Sequence, residues 1–166
     1  MKLSNAVKCT LPAAVLGFVA LGLTPTSAFA STATANVAVT ATVQSNCTIT
    51  TGSMAFGTYT GAAASTTATL TVTCTNTTPY NVGLNAGATS GATVSTRQML
   101  NGTATLNYGL YTNSTWTTNW GNTTGSWVAG TGSGAAQTLT VYGQIPAAQF
   151  VTPGSYSDTV LATVNF

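Results

Sequence analysis

Apolar residues recur at every second position over most of this chain, and helical periodicity is hard to find. Ala68, Leu70, Val72 and Cys74 alternate with Thr69, Thr71 and Thr73. Tyr80, Val82 and Leu84 alternate with Asn81 and Gly83. The same period runs through Ala104, Leu106, Tyr108 and Leu110, and through Leu139, Val141, Gly143 and Ile145. A last run joins Tyr156, Asp158, Val160, Ala162, Val164 and Phe166. Each run predicts a strand with one face in a core and the other in water. Asn101-Gly102, between Met99-Leu100 and the Ala104 run, predicts a tight hairpin. Pro79, Pro146 and Pro153-Gly154 mark further breaks. Residues 112–134 are rich in Asn, Thr, Gly and Trp and read as a long loop or an irregular hairpin. No domain boundary and no repeat of fixed period is visible.

Threonine, 37 residues by count, fills many of the alternate positions. Its β-branch suits a pleated surface and its hydroxyl suits water. Such a surface is soluble without charge, which fits a chain with only 2% charged residues against roughly 25% in an ordinary domain.

Residues 1–30 read as a secretory signal peptide. Lys2 and Lys8 precede an apolar run over residues 11–23, which is shorter than the ~20 residues that span a bilayer. Ala28-Phe29-Ala30 is a small-x-small cleavage site, which places the mature start at Ser31. Cys9 leaves with the signal. The mature chain then carries two charged side chains, Arg97 and Asp158, and two cysteines, Cys47 and Cys74. An even cysteine pair in an exported chain reads as a disulfide. Closing that loop stabilises by ~3.5 kcal/mol on a chain-entropy estimate. Cys47 shares parity with Ile49, and Cys74 with Leu70 and Val72, so both sulfurs fall on apolar strand faces. A bridge between neighbouring early strands suits a sandwich or barrel.

The side-chain inventory narrows the chemistry. With no His and a single carboxylate, imidazole bases and paired-carboxylate mechanisms have no residues to use. Two thiols without His make a poor metal site. No basic patch exists for nucleic acid. Gly130-Thr131-Gly132-Ser133-Gly134-Ala135 lacks the strand–helix context of a dinucleotide loop and reads as a flexible loop. Neither a catalytic residue nor a cofactor nor a metal is expected, and the chain is not expected to be an enzyme.

Residues 31–44 hold the most informative pattern. Ala33, Ala35, Val37, Val39, Ala41 and Val43 occupy alternate positions directly after the cleavage site. Termini fray unless tied down. Two readings stand: the first strand of the chain's own domain, or a strand offered to another molecule. Burying the three valines alone is worth ~4.5–9 kcal/mol at ~1.5–3 each, so the stripe will not stay in water. The chain stops at Phe166 within another apolar alternation, which predicts an uncovered edge strand, a feature that natural proteins normally cover. Head-to-tail pairing of such ends between copies makes an open filament.

Five motifs in order carry a family resemblance: Phe56-Gly57-Thr58-Tyr59; Arg97-Gln98-Met99-Leu100 ahead of Leu106-Asn107-Tyr108-Gly109-Leu110-Tyr111; Trp120-Gly121; Thr140-Val141-Tyr142-Gly143-Gln144-Ile145-Pro146; and Gly154-Ser155-Tyr156-Ser157-Asp158-Thr159-Val160. They resemble the spore coat protein U domain family, in particular the Csu-type pilins of archaic chaperone–usher pili, over nearly the whole mature chain. The resemblance implies an all-β fold, an incomplete immunoglobulin-like sandwich that lacks its last strand and is completed by a donor strand from a neighbouring subunit. It implies a signal peptide at 1–30, a donor extension at 31–44 and a pilin domain at 45–166. Ala33, Ala35, Val37, Val39, Ala41 and Val43 would be the donor residues. Tyr156, Val160, Ala162, Val164 and Phe166 would flank the acceptor groove and meet the chaperone, which would grip the terminal carboxylate.

The implied partners are other copies of the chain, a periplasmic chaperone, an outer-membrane usher, and tip or minor pilins. The implied place is a pilus on a Gram-negative cell, reached through the periplasm. The implied role is a structural subunit, the major rod subunit by its size, serving attachment and biofilm formation. The alternative is a secreted carbohydrate-binding sandwich that uses Trp116, Trp120 and Trp127, although tryptophans more often serve a core or an interface. Asn76, Asn101, Asn113 and Asn122 head glycosylation sequons that matter only in a eukaryotic host. Arg97 and Asp158 either pair or sit apart; their spacing does not decide.

Overall fold

A computed structural model describes residues 30–166. The signal-peptide reading, with Lys2, Lys8 and Cys9, lies outside the described residues. The described part contains eight strands and no helix. Residues 30–46 form no strand, and their side chains are exposed. All eight strands lie within Ala41–Phe166, which forms a compact unit of its own.

The alternating runs become strands in chain order: β1 (Cys47–Thr51), β2 (Ala64–Cys74), β3 (Pro79–Leu84), β4 (Arg97–Asn101), β5 (Ala104–Tyr111), β6 (Val128–Thr131), β7 (Ala136–Ile145) and β8 (Ala162–Asn165). They form a five-stranded sheet, ordered β1-β2-β7-β5-β4, and a three-stranded sheet, ordered β6-β3-β8. Every strand pair is antiparallel. Leu70, Val72, Val141 and Ile145 from the first sheet and Tyr80, Val82 and Leu84 from the second share one buried core. The alternate threonines of β2 and β7 face outward and stand opposite one another, Thr69 beside Thr140 and Thr71 beside Thr138. The result is an all-β, immunoglobulin-like sandwich whose smaller sheet ends at β8.

Cys47 and Cys74 face each other across the β1–β2 ladder and are bonded, with Cα atoms 4.1 Å apart. Trp120 is buried, and its Nε1–H donates to Val82 O at 2.8 Å. The site named for the carbohydrate-binding alternative therefore loses its central tryptophan to the core. Trp127 is half-buried, and Trp116 is 38% exposed.

The hairpin expected at Asn101-Gly102 joins β4 to β5, and three other local expectations change. Asn101 pairs with Ala104, so Gly102 and Thr103 form the turn. Gly102 has φ +63° and Thr103 is not left-handed, as a type II′ turn requires. Residues 112–134 are not all loop, since β6 lies within them. The Gly130–Ala135 stretch is not free: Gly132 N–H donates to Thr78 O at 2.7 Å, Thr77 N–H to Gly132 O at 2.8 Å, and Gly134 N–H to Cys74 O at 3.1 Å. A Cβ on Gly132 would collide with the Thr75 carbonyl, so the glycine permits this backbone approach. Lastly, the alternation over residues 156–166 is not one strand. Only Ala162–Asn165 pairs with β3, while Ser157 forms an isolated bridge with Leu100 of β4.

Candidate functional site: an open groove beside β8

Among the described residues, β8 has a neighbouring strand on one side only. Its register pairs Gly83 with Thr163 and Asn81 with Asn165, and Asn85 N–H donates to Leu161 O at 3.0 Å. In an antiparallel ladder the backbone groups of successive residues point alternately to the two sides. Leu161, Thr163 and Asn165 thus turn their N–H and C=O groups toward β3. Val160, Ala162 and Val164 turn theirs to the opposite side, where no strand of the described residues pairs with them. The same three side chains are half-buried, facing the core, while Leu161, Thr163 and Asn165 are exposed.

A groove of about 410 Å³ opens along this side. One wall runs from the end of β1 at Thr51 through Met54 and Phe56; the other is the stretch carrying Tyr156, Asp158, Val160 and Ala162. Its floor is the core itself, including Leu70, Leu84, Leu110 and Val141. A second hollow of about 840 Å³ shares Met54, Phe56, Met99 and Tyr156 with it and reaches Phe150. Of the residues assigned to the acceptor site, Tyr156, Val160 and Ala162 line the groove. Val164 and Phe166 line neither hollow, and Phe166 is 58% exposed. The assigned donor valines Val37, Val39 and Val43 are 85–87% exposed.

The far wall was missing from the sequence-based assignment. Met54 and Phe56 share parity, and Phe56 sits in the Phe-Gly-x-Tyr motif, so a signal existed. Phe56 stands edge-on to Tyr108 with ring centroids 6.2 Å apart. Tyr59 fastens the end of this wall: its hydroxyl donates to Pro146 O at 2.7 Å and accepts from Gln149 N–H at 3.1 Å. Gln149 in turn accepts from Asn107 N–H at 2.8 Å and donates to Asn107 O at 2.9 Å, so its amide pairs with β5 where the β5–β7 ladder has ended.

Arg97 and Asp158 do not pair with each other. Arg97 is fully buried and donates to four backbone carbonyls: Asn85 O at 2.8 Å, Val94 O at 2.7 Å, Leu84 O at 3.0 Å and Trp120 O at 2.7 Å. A buried guanidinium is tolerated when its N–H groups are met in this way. Burial nonetheless lowers its pKa from the usual arginine value. Asp158 accepts from the Tyr108 hydroxyl at 2.6 Å and from Ala88 N–H at 2.8 Å. Burial first, and then the hydrogen bond to Asp158, push the Tyr108 phenol well above its usual range.

Residues 33–163 match the Spore Coat Protein U domain, a span that begins at the first residue of the exposed stripe. The chain is 36% identical over 180 residues to Protein U of Myxococcus xanthus, covering 98% of this chain and 99% of that protein. Among solved structures it is similar to the CsuC–CsuE chaperone–tip adhesion subunit pre-assembly complex from the archaic chaperone–usher Csu pili of Acinetobacter baumannii. That likeness is one of fold: 24% identity and a TM-score of 0.57, over 75% of this chain and 41% of the other. By the match that spans both the exposed stripe and the grooved sandwich, the chain belongs to the Spore Coat Protein U domain family.

Proposed function

We propose that this chain is a structural pilin subunit that polymerises by donor-strand exchange. The observation that carries the reading is the free edge of Val160, Ala162 and Val164 above a groove floored by core residues, in a chain that also bears an exposed apolar stripe. The stripe is long enough for this edge: its eleven residues, 33–43, extend over ~33 Å, more than the edge from Val160 to Val164 requires. A strand laid beside β8 would satisfy its backbone groups and bury the stripe, as in strand addition to a sheet edge. Residues 1–30 direct export, residues 31–44 supply the strand, and residues 45–166 form the accepting domain.

A periplasmic chaperone covers the groove before assembly, and an outer-membrane usher hands the subunit to the next copy. In this reading the subunit builds the shaft as the major rod subunit, and tip or minor pilins complete the organelle. The pilus stands on the surface of a Gram-negative cell and serves attachment and biofilm formation. Catalysis has no part in this role.

The test is deletion of residues 31–43 in cells that make the pilus. The truncated subunit is expected to accumulate bound to chaperone and to form no fibre. Intact fibres should run as a ladder on unboiled electrophoresis and as one band after boiling. A truncated chain that still makes fibres would overturn the reading.

A further inference from the structure

Asp158, the one side-chain carboxylate of the sequence, lies along the groove. Its Oδ1 accepts from Ala88 N–H at 2.8 Å and from Thr159 N–H at 2.7 Å, and its Oδ2 accepts from the Tyr108 hydroxyl at 2.6 Å. Tyr108 belongs to β5 in the larger sheet, whereas Ala88 lies on the turn that follows β3 in the smaller one. One residue before Asp158, Ser157 exchanges both backbone hydrogen bonds with Leu100 of β4, at 2.9 and 3.1 Å. Three residues after it, Leu161 is bonded to Asn85. Asp158 therefore stands where the chain crosses from one sheet to the other, a stretch with no ladder of its own. Gly87 leaves room for it: φ there is +92°, and a Cβ would lie against the carboxylate.

We propose that Asp158 is a positioning residue for the incoming strand. By tying the crossing to Tyr108 and Ala88, it sets one wall of the groove and aligns the free edge of Val160 and Ala162. The inference rests on the donor-strand reading. Its physical content is local. Losing the carboxylate leaves the Ser157–Leu100 bridge and the β3–β8 ladder in place, and frees only the few residues between them, which the new strand must meet in register.

The test uses full-length fibres carrying Asp158→Asn or Tyr108→Phe, compared by amide hydrogen exchange. Both changes keep side-chain size, so they weaken the tie without opening a cavity. The expected result is faster exchange at Val160, Ala162 and Val164, by about tenfold, the order for losing one charge-assisted hydrogen bond. Amides of β2 and β7 should exchange as in the wild type. Unchanged exchange at the three edge residues, or an equal rise over all strands, overturns the proposal. If wild-type chains give no unboiled ladder at all, the donor-strand reading itself fails and this inference falls with it. A wild-type ladder with unaffected variants sinks the Asp158 role alone.

Discussion

Asn85 and Leu161 hold each other from both sides: Asn85 N–H donates to Leu161 O at 3.0 Å, and Leu161 N–H donates to Asn85 Oδ1 at 2.9 Å. The same Oδ1 accepts from Gly87 N–H at 3.0 Å, and the Asn85 carbonyl accepts from Arg97 Nε–H. One asparagine thus joins the buried guanidinium to the residue that leads into β8. Asn85→Ala leaves two amides without their acceptor and is expected to cost ~1–3 kcal/mol. The check is the temperature at which the unboiled ladder collapses to monomer. Asn85→Asp, which keeps an acceptor oxygen, should lose less than Asn85→Ala.

Trp120 gives a second prediction, because its ring fills the core while its Nε1–H meets Val82 O. Trp120→Phe removes the indole donor to that carbonyl, which keeps its place in the β3–β6 ladder, and should destabilise by ~1 kcal/mol. Trp120→Ala adds a cavity and should cost ~3–5 kcal/mol. Periplasmic yield and thermal unfolding of the chaperone-bound subunit measure both. Glycan binding lost in a variant that stays fully stable would instead place Trp120 at a sugar site.

The strands were legible because burial on one face leaves its mark in every second residue. Leu70–Val72–Cys74 and Leu106–Tyr108–Leu110 are buried where the alternation put them. Parity, however, records only where a side chain points. It is blind to which strand the backbone pairs with, so the alternation ran unbroken through Asp158 while the chain changed sheets. Arg97 was illegible for a related reason. Its partners are carbonyl oxygens of Leu84, Asn85, Val94 and Trp120, and a carbonyl carries no residue-type signal. The far wall of the groove, at Met54 and Phe56, lies outside any strand, where alternation has no ladder to anchor it.

The free edge of β8 makes the direction of an added strand testable. Antiparallel pairing is the more stable per residue, so the added strand is expected to run antiparallel to β8. Directly opposed residues then exchange backbone bonds and point their side chains to the same face. Val160, Ala162 and Val164 face the core, so the bonded residues of the stripe are its inward ones. N-methylation of Val37 or Val39 in a synthetic 33–43 strand should weaken binding by about five- to tenfold. The same change at Ala38 or Thr40 should do little. A parallel strand reverses the pattern, and competition against chaperone-bound subunit reads the difference.

Residues 31–166 contain no His, Lys or Glu. No side chain there ordinarily titrates between pH 6 and 9 apart from the two cysteines, which are bonded. Fibre stability should therefore be flat across that window. Above about pH 10 the unfolded chain releases its tyrosine protons, while buried Tyr108 keeps its own. The unfolded state then binds fewer protons than the native one, so stability falls as pH rises. Ladder-collapse temperature against pH tests both limbs, and Tyr108→Phe should lessen the alkaline decline.

The same scarcity of charge bears on proteolysis. The Arg97–Gln98 bond is the only tryptic site in residues 31–166, and Arg97 is fully buried. Cleavage needs β4 to leave β5, which withdraws the guanidinium from four carbonyls. An opening of that size samples the high end of local unfolding free energies. Native fibres should thus withstand prolonged trypsin, and boiled, reduced subunits should be cut once, into residues 31–97 and 98–166. Mass spectrometry of the digest identifies the two pieces. Cutting of native fibres at Arg97 would mean that the edge of the larger sheet opens far more readily than its buried arginine implies.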